Sequence, residues 1–303
     1  MTIHFNIEYK TLFGEQLVLN IQKEDEELRF PMTTLNGERW SFDWCVEQPA
    51  KVYTYYYSVE RDGRVLKTEW LLVKHRLELN ATKADEFTLY DSWKVIPEDA
   101  YLYSSAFTDC INHQAPEELA MQNCAKTVRL IVRAPQLRDG ERLGLVGADN
   151  VLGAWNAEKM LKMTQHTYNE WVADVDAAHL QTAHMEFKFV AYNEKKNLLF
   201  WETGMNRTID LPEMKAGDAI VYDLDQAFFA LYNRKVAGTL VPVFSLRSEK
   251  SAGVGDFGDL KTMIDLVAST GQKVLQLLPI NDTTITHTWT DSYPYSCISV
   301  FAI

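Results

Sequence analysis

The chain has 303 residues, 47% of them hydrophobic, enough to bury two or three domain cores of about 100–150 residues each. Lysine and arginine number 30 against 42 acids, a net charge of −12 that argues against a phosphate-backbone partner such as nucleic acid and favours an uncharged ligand. No run approaches the ~20 apolar residues of a membrane span. Residues 1–6 enter strand alternation with no leader composition, and the four cysteines show no metal spacing. A cytoplasmic protein with reduced thiols, no metal and no cofactor is expected.

Residues 3–10 alternate, with Ile3, Phe5, Ile7 and Tyr9 on one face and His4, Asn6, Glu8 and Lys10 on the other, which predicts a half-buried strand. A turn at Phe13-Gly14-Glu15 leads into the apolar run Leu17–Ile21, and the charged patch Lys23–Glu27 is expected to be a solvated loop. Trp40–Trp44, the aromatic run Tyr53–Tyr57, a turn at Asp62-Gly63, strands through Trp70 and Leu77, and Phe87–Asp91 complete a unit over 1–95. Short strands separated by turn signals indicate an all-β sandwich. Residues 96–127 are read as an ordered connector with a short helical piece over 116–126.

From Val128 the pattern repeats, defining a second sandwich over 128–230. Gly140 follows Gly14 by 126 residues, Trp171 follows Trp40 by 131, Trp201 follows Trp70 by 131, and Tyr222-Asp223 follow Tyr90-Asp91 by 132. The single jump of five residues marks a loop present in the second copy and shortened in the first. That loop carries Leu152-Gly153-Ala154-Trp155. Met185, Phe187 and Phe189 are expected to point inward, and Glu186 and Lys188 outward. Trp155 and Trp201 sit in Gly/Asn-rich stretches, beside Lys188 and Asn206. A flat apolar ring next to fixed hydrogen-bond donors suits a sugar, whereas core packing of both tryptophans is the bland alternative, and the pattern alone leaves both open.

After Ala230 the composition changes. A turn and N-cap at Gly253–Asp259 precede a helix over 259–270, with Leu260, Met263, Ile264, Leu266 and Val267 on its apolar face, and Val274–Ile280 reads as a buried strand. Helix then buried strand is the opening of a parallel α/β architecture. A barrel of eight strands needs about 250 residues, so residues 231–303 are expected to hold only its start. The fold class is therefore mainly β: two tandem antiparallel, immunoglobulin-like β-sandwiches followed by the first helix and strand of a (β/α)8 barrel.

Residues 128–225 resemble a starch-binding domain of carbohydrate-binding module family 20. The carrying residues are Val146-Gly147, Leu152-Gly153-x-Trp155, Trp171, Glu186-Phe187-Lys188-Phe189 and Trp201-Glu202-x-Gly204-x-Asn206-Arg207. The resemblance implies that Trp155 and Trp201 stack on adjacent glucoses while Lys188 and Asn206 bond hydroxyls. A second site in some members uses a tyrosine where Asp139 stands here, so Trp171 is read as structural. Residues 1–95 look like a divergent member. An ungapped offset sets Tyr57 opposite Lys188, His75 opposite Asn206 and Trp70 opposite Trp201, which leaves Trp70 and Tyr57 as a weak site beside a spacer or docking role.

Residues 240–303 resemble the start of a glycoside hydrolase family 77 domain, the 4-alpha-glucanotransferases, on Ser251-x-Gly253-Val254-Gly255-Asp256-Phe257-Gly258-Asp259-Leu260, Gln276-Leu277-Leu278-Pro279 and Pro294-Tyr295-Ser296. Tyr295 would lie near the donor sugar. The family implies a retaining glucanotransferase acting on α-1,4-glucans (starch, glycogen, maltodextrins) through two carboxylates. No catalytic residue is assigned within this chain, because the family's carboxylates fall on later barrel strands. The rival reading is a non-catalytic glycogen- or starch-tethering protein.

Overall fold

The computed structural model describes residues 1–23, 26–47, 49–79, 84–111, 119, 121–138, 140–167, 169–196, 198–230, 237–251, 253–280 and 288. Two compact units are present, Met1–Tyr232 and Asn233–Ile303. Tyr295 and Asp139 lie outside the described residues.

The first module contains β1 (Thr2–Glu8), β2 (Gln16–Lys23), β3 (Glu26–Pro31), β4 (Thr33–Thr34), β5 (Arg39–Cys45), β6 (Val52–Arg61), β7 (Arg64–Thr68), β8 (His75–Glu78) and β9 (Glu86–Asp91). The second contains β10 (Thr127–Arg133), β11 (Arg142–Gly147), β12 (Leu161–Lys162), β13 (Thr164–Thr167), β14 (Glu170–Asp176), β15 (His184–Asn193), β16 (Leu198–Trp201), β17 (Arg207–Asp210) and β18 (Ala219–Asp223). The alternation read from sequence is present in β1, where Ile3, Phe5 and Ile7 are buried, and in β15, where Met185, Phe187 and Phe189 are buried beneath half-exposed Glu186 and Lys188. Glu26 and Glu27, expected in a loop, belong to β3, the outermost strand of its sheet, where charge discourages pairing with another chain. In the connector, helical turns occupy Ala100–Tyr103 and Ala106–Ile111, and residues 121–124 of the expected helix are not helical.

Sequence alone did not suggest that the two sandwiches are fused. β9 pairs in parallel with β18, Phe87 opposite Ala219 through Asp91 opposite Asp223, and this makes one eight-stranded sheet in the order β13-β14-β10-β18-β9-β1-β5-β4. The sheet β3-β2-β6-β7, with β8 on β6, covers one face, and the sheet β12-β11-β15-β16, with β17 on β15, covers the other. β10 and β18 are consequently buried on both faces. Val128, Leu130, Val132, Ile220 and Tyr222 enter the second module's core, while Ile131, Ala219 and Val221 enter the first module's.

The join is also ionic. His75, fully buried, places Nδ1 2.7 Å from Asp223 of the second module and Nε2 3.1 Å from Glu69. Lys94 Nζ lies 2.8 Å and Arg133 Nη1 3.3 Å from Asp223, and the Tyr55 and Tyr57 hydroxyls donate to Asp91. Burial disfavours a charged His75 ring, but Glu69, then Asp91 and Asp223, outweigh both burial and the repulsion of Lys94, and hold its pKa up at about 9. Asp223 is held well below the ordinary carboxylate value: burial opposes this, and Lys94, Arg133 and His75 override it.

The second unit holds β19 (Gly238–Val241), α1 (Phe257–Ser269) and β20 (Val274–Leu277), with β19 and β20 paired in parallel. Asp256 accepts from Gly258 N and Asp259 N, and Asp259 accepts from Asp256 N at 3.1 Å, completing a capping box. Ser251 Oγ and Ser248 Oγ also donate to Asp259. Both acids therefore serve the helix start. β19 was missed because a four-residue strand carries too little alternation. On α1, Val267 is buried, whereas Ile264 and Leu266 are exposed.

The His75 pKa is raised from its ordinary 6.5, so the stabilisation it carries is complete below that value and is lost as pH rises through about 9. Lys94, whose pKa burial pushes down, contributes with the opposite sign. Thermal unfolding is expected to show a fall in stability between about pH 7 and pH 10, with a His75 contribution on the order of 3 kcal/mol. His75→Gln should remove most of that slope; an unchanged slope would show that the ring is not charged in the fold.

Candidate functional site

Trp155 stands on the excursion between β11 and β12. Gly153, Ala154 and Trp155 have φ of 87°, 48° and 60°, three successive residues in the left-handed region. For the two non-glycine residues this costs roughly 1 kcal/mol or more each, and the surrounding bonds must hold them there. Trp155 N donates to Gly147 O at 2.8 Å and Ala154 N to Asp149 O at 3.0 Å. The Asp149 carboxylate takes Val151 N at 2.9 Å and Gln181 N at 2.7 Å. A Cβ on Gly153 would lie 2.7 Å from Lys159 O, so only glycine fits.

Trp201 ends β16 opposite Val190 and is 40% exposed. The next residue, Glu202, is buried; its carboxylate accepts from Phe189 N at 3.3 Å and from Arg207 Nε and Nη2 at 3.0 and 2.6 Å. Arg207 also donates to Gln226 O, and its guanidinium lies 5.2 Å from the Phe189 ring centre. The loop between these anchors is solvent-facing, with Met205 and Asn206 exposed. Lys188 Nζ donates to the loop carbonyls of Glu202 at 3.1 Å and Gly204 at 2.6 Å, and Asn206 Nδ2 donates to Glu186 at 2.7 Å. Lys188 thus fastens the Trp201 loop with two of its three N–H groups, leaving a donor there, and Asn206 keeps its carbonyl as an acceptor.

β15 ties these parts together. Gly147, the anchor of Trp155, pairs with Phe187; Phe187 pairs with Arg207; Lys188 and Asn206 are the immediate neighbours of that row. Trp155, Lys188, Trp201 and Asn206 therefore stand around the middle of β15 in the second module's outer sheet, Trp155 hung from β11 on one side and the Trp201–Asn206 loop on the other. Trp171 is 2% exposed and belongs to the core. The Glu202–Arg207 pair was visible in the sequence motif, but its role as the loop's anchor was not.

In the first module, strand register overturns the ungapped comparison. Leu19 opposite Tyr57 corresponds to Leu145 opposite Phe189, so Tyr57 stands where Phe189 does and Tyr56 where Lys188 does. Likewise Thr68 holds the Trp201 position, Lys74 that of Asn206, and His75 that of Arg207. A slip of one residue reverses the face of every side chain. Tyr57 is accordingly 0% exposed, with its hydroxyl on Asp91, and presents no surface to a ligand. Trp70 is half-buried, edge-on to Tyr103 at 5.0 Å.

Residues 126–221 match the starch binding domain family. Residues 241–303 match the family model described as 4-alpha-glucanotransferase. The chain is similar to 4-alpha-glucanotransferase DPE2 of Oryza sativa subsp. japonica, 29% identical over 325 residues that cover 100% of this chain and 34% of that protein. It is also similar to a 4-alpha-glucanotransferase of Chlamydia trachomatis serovar D, 47% identical over 66 residues, 22% of this chain and 12% of that one. The chain thus spans about a third of the length of the rice relative. Among solved structures, the family 20 module of a maltotetraose-forming amylase from Pseudomonas saccharophila covers 31% of this chain and 98% of its own, at 19% identity and a TM-score of 0.26.

The Trp155 loop of the second module is sensitive to backbone change at its left-handed turn. Gly153→Ala should lower the stability of the second module by roughly 1–3 kcal/mol, read by urea unfolding. A neutral result would mean that the left-handed turn is not maintained in solution.

Proposed function

We propose that the second module binds α-1,4-glucan through Trp155 and Trp201 as stacking platforms, with Lys188 and Asn206 bonding sugar hydroxyls, as one part of a 4-alpha-glucanotransferase. The observation that carries this is the placement of two loop tryptophans and two polar side chains around the middle of β15, on loops pinned by buried hydrogen bonds and the Glu202–Arg207 pair. Loops held by a rigid scaffold are suited to present aromatic faces without paying further ordering entropy. Starch, glycogen and maltodextrins all present the same repeating face.

In this reading the first module is a docking partner, because Thr68 replaces the Trp201 platform and the loop for Trp155 is missing between β2 and β3. The β19–α1–β20 unit opens the (β/α)8 catalytic domain, and Tyr295 lies near its donor sugar. Catalysis proceeds with retention: one carboxylate attacks the anomeric carbon, a second gives and then takes a proton, and an acceptor sugar receives the glycosyl group. Asp256 and Asp259 are occupied by the helix cap, which supports assigning neither to this chemistry. Free thiols at Cys45 and Cys124 support a reducing compartment, the cytoplasm.

Calorimetric titration with maltoheptaose tests the reading. Trp155→Ala and Trp201→Ala are each expected to weaken the principal binding event about tenfold or more, the scale of one lost aromatic platform. Unchanged affinity in both would remove this site as the glucan-holding element. Expression of the full reading frame and assay for glucan transfer between maltodextrins separates the enzyme from a non-catalytic tether.

A further inference from the structure

The shared sheet creates a surface that neither module has alone. Where β9 and β18 run side by side, Tyr90 and Tyr222 stand opposite one another with rings 4.9 Å apart and 13° from parallel. They line a groove of about 1230 Å³, bounded by β1, β5 and the turn at Leu35 from the first module and by Thr208–Pro212 from the second. The Tyr222 ring is 8% exposed, and among the described residues neither tyrosine hydroxyl has a protein hydrogen-bond partner. Phenols with covered rings normally satisfy that hydroxyl with solvent or a ligand. Trp93 also lines the groove, braced against Tyr9 at 4.1 Å with Lys67 Nζ 5.3 Å from its ring.

The polar lining selects the ligand. Its side-chain carboxylates are Glu8, Asp210 and Asp225, since Asp91 turns its own to Tyr55 and Tyr57 in the first core, and among the described residues the one cation lining it, Arg39, is paired with Glu8 at 3.0 Å. An anion finds no unpaired positive charge there, whereas a chain of hydroxyls finds acceptors beside aromatic faces. The groove also connects with the candidate site. β17 begins one residue after Asn206 and ends at Asp210 in the groove, a span of about 13 Å at strand rise. We infer that this seam groove is a second α-glucan-binding site, composed from both modules and separate from the Trp155 and Trp201 platforms. The choice of an α-glucan rests on the function proposed above; the existence of the groove does not.

The test is titration of the whole chain with maltoheptaose, using circular dichroism to check folding. The double variant Trp155→Ala/Trp201→Ala should retain a weaker binding event. Adding Ser41→Trp, at an exposed groove position on β5, should weaken that event about tenfold or more without touching either core. Tyr90→Ala should do the same from the opposite direction, by removing a ring. If the folded double variant binds nothing while the unaltered chain binds, the groove proposal falls and the platform reading stands. If residual binding ignores both groove variants, the groove proposal also falls. Should the double variant bind like the unaltered chain and Ser41→Trp abolish binding, the groove stands and the platform reading falls.

Discussion

The pairing of β9 with β18 is the constraint on which the rest of Met1–Tyr232 depends. Two sandwiches that merely followed one another would each close their own core and leave the last strand of each first sheet as an open edge. Here each edge satisfies the other, and the joined sheet is covered on opposite faces by the two remaining sheets. β10 and β18 then need apolar side chains in both directions, and Val128–Val132 and Ala219–Tyr222 supply them. The modules are held together through backbone hydrogen bonds and through β10 and β18, whose side chains enter both cores, so the groove along the seam is as fixed as either sandwich.

The two copies show how one scaffold feature has been put to two uses. Both place a glutamate one residue past the β6–β7 or β15–β16 pairing, where it binds a backbone N–H of the central strand: Glu69 takes Tyr57 N, and Glu202 takes Phe189 N. Both then neutralise it from the following strand, with His75 in one and Arg207 in the other. In the second module this pair anchors an exposed loop that carries Trp201. In the first, the histidine has a second ring nitrogen to offer, and Asp223 of the neighbouring module takes it. A residue with two opposed hydrogen-bonding atoms can bridge modules where an arginine directed at one glutamate does not.

Much of this was legible in the residues. The alternation of β1 and β15, the internal repeat, the Trp155 loop being five residues longer than its counterpart in the first copy and the Asp256–Asp259 cap all follow from period, turn chemistry and spacing. The fusion of the sheets was not legible, because parallel pairing between distant strands leaves no local pattern: a strand buried on both faces looks the same whichever core lies behind it. The equivalence of Trp70 with Trp201 failed for a related reason. Matching letters at a fixed offset of 131 ignores that the paired registers set β6 and β8 at 132 and β7 at 133, so Tyr57 falls one place off Lys188 and Trp70 two places past the Trp201 position, and in a strand one place is the difference between core and solvent. The candidate residues of the second module were read from spacing within one copy and do not depend on that offset.

The buried charges at the seam raise a question of purpose, since removing several ions from water is costly and an apolar seam of equal volume could be as stable. Register offers an answer. With Asp223 opposite Asp91, the carboxylates face His75, Lys94 and Arg133, and Tyr222 and Tyr90 face the other side together. A slip of one residue would turn Asp223 toward Leu130 and Phe187 in the second core and leave Lys94 and Arg133 without their acid. An all-apolar pair of strands would pay little for that slip; this one would strand several charges at once. The ionic cluster thus selects a single alignment of the two modules, and that alignment sets Tyr90 beside Tyr222.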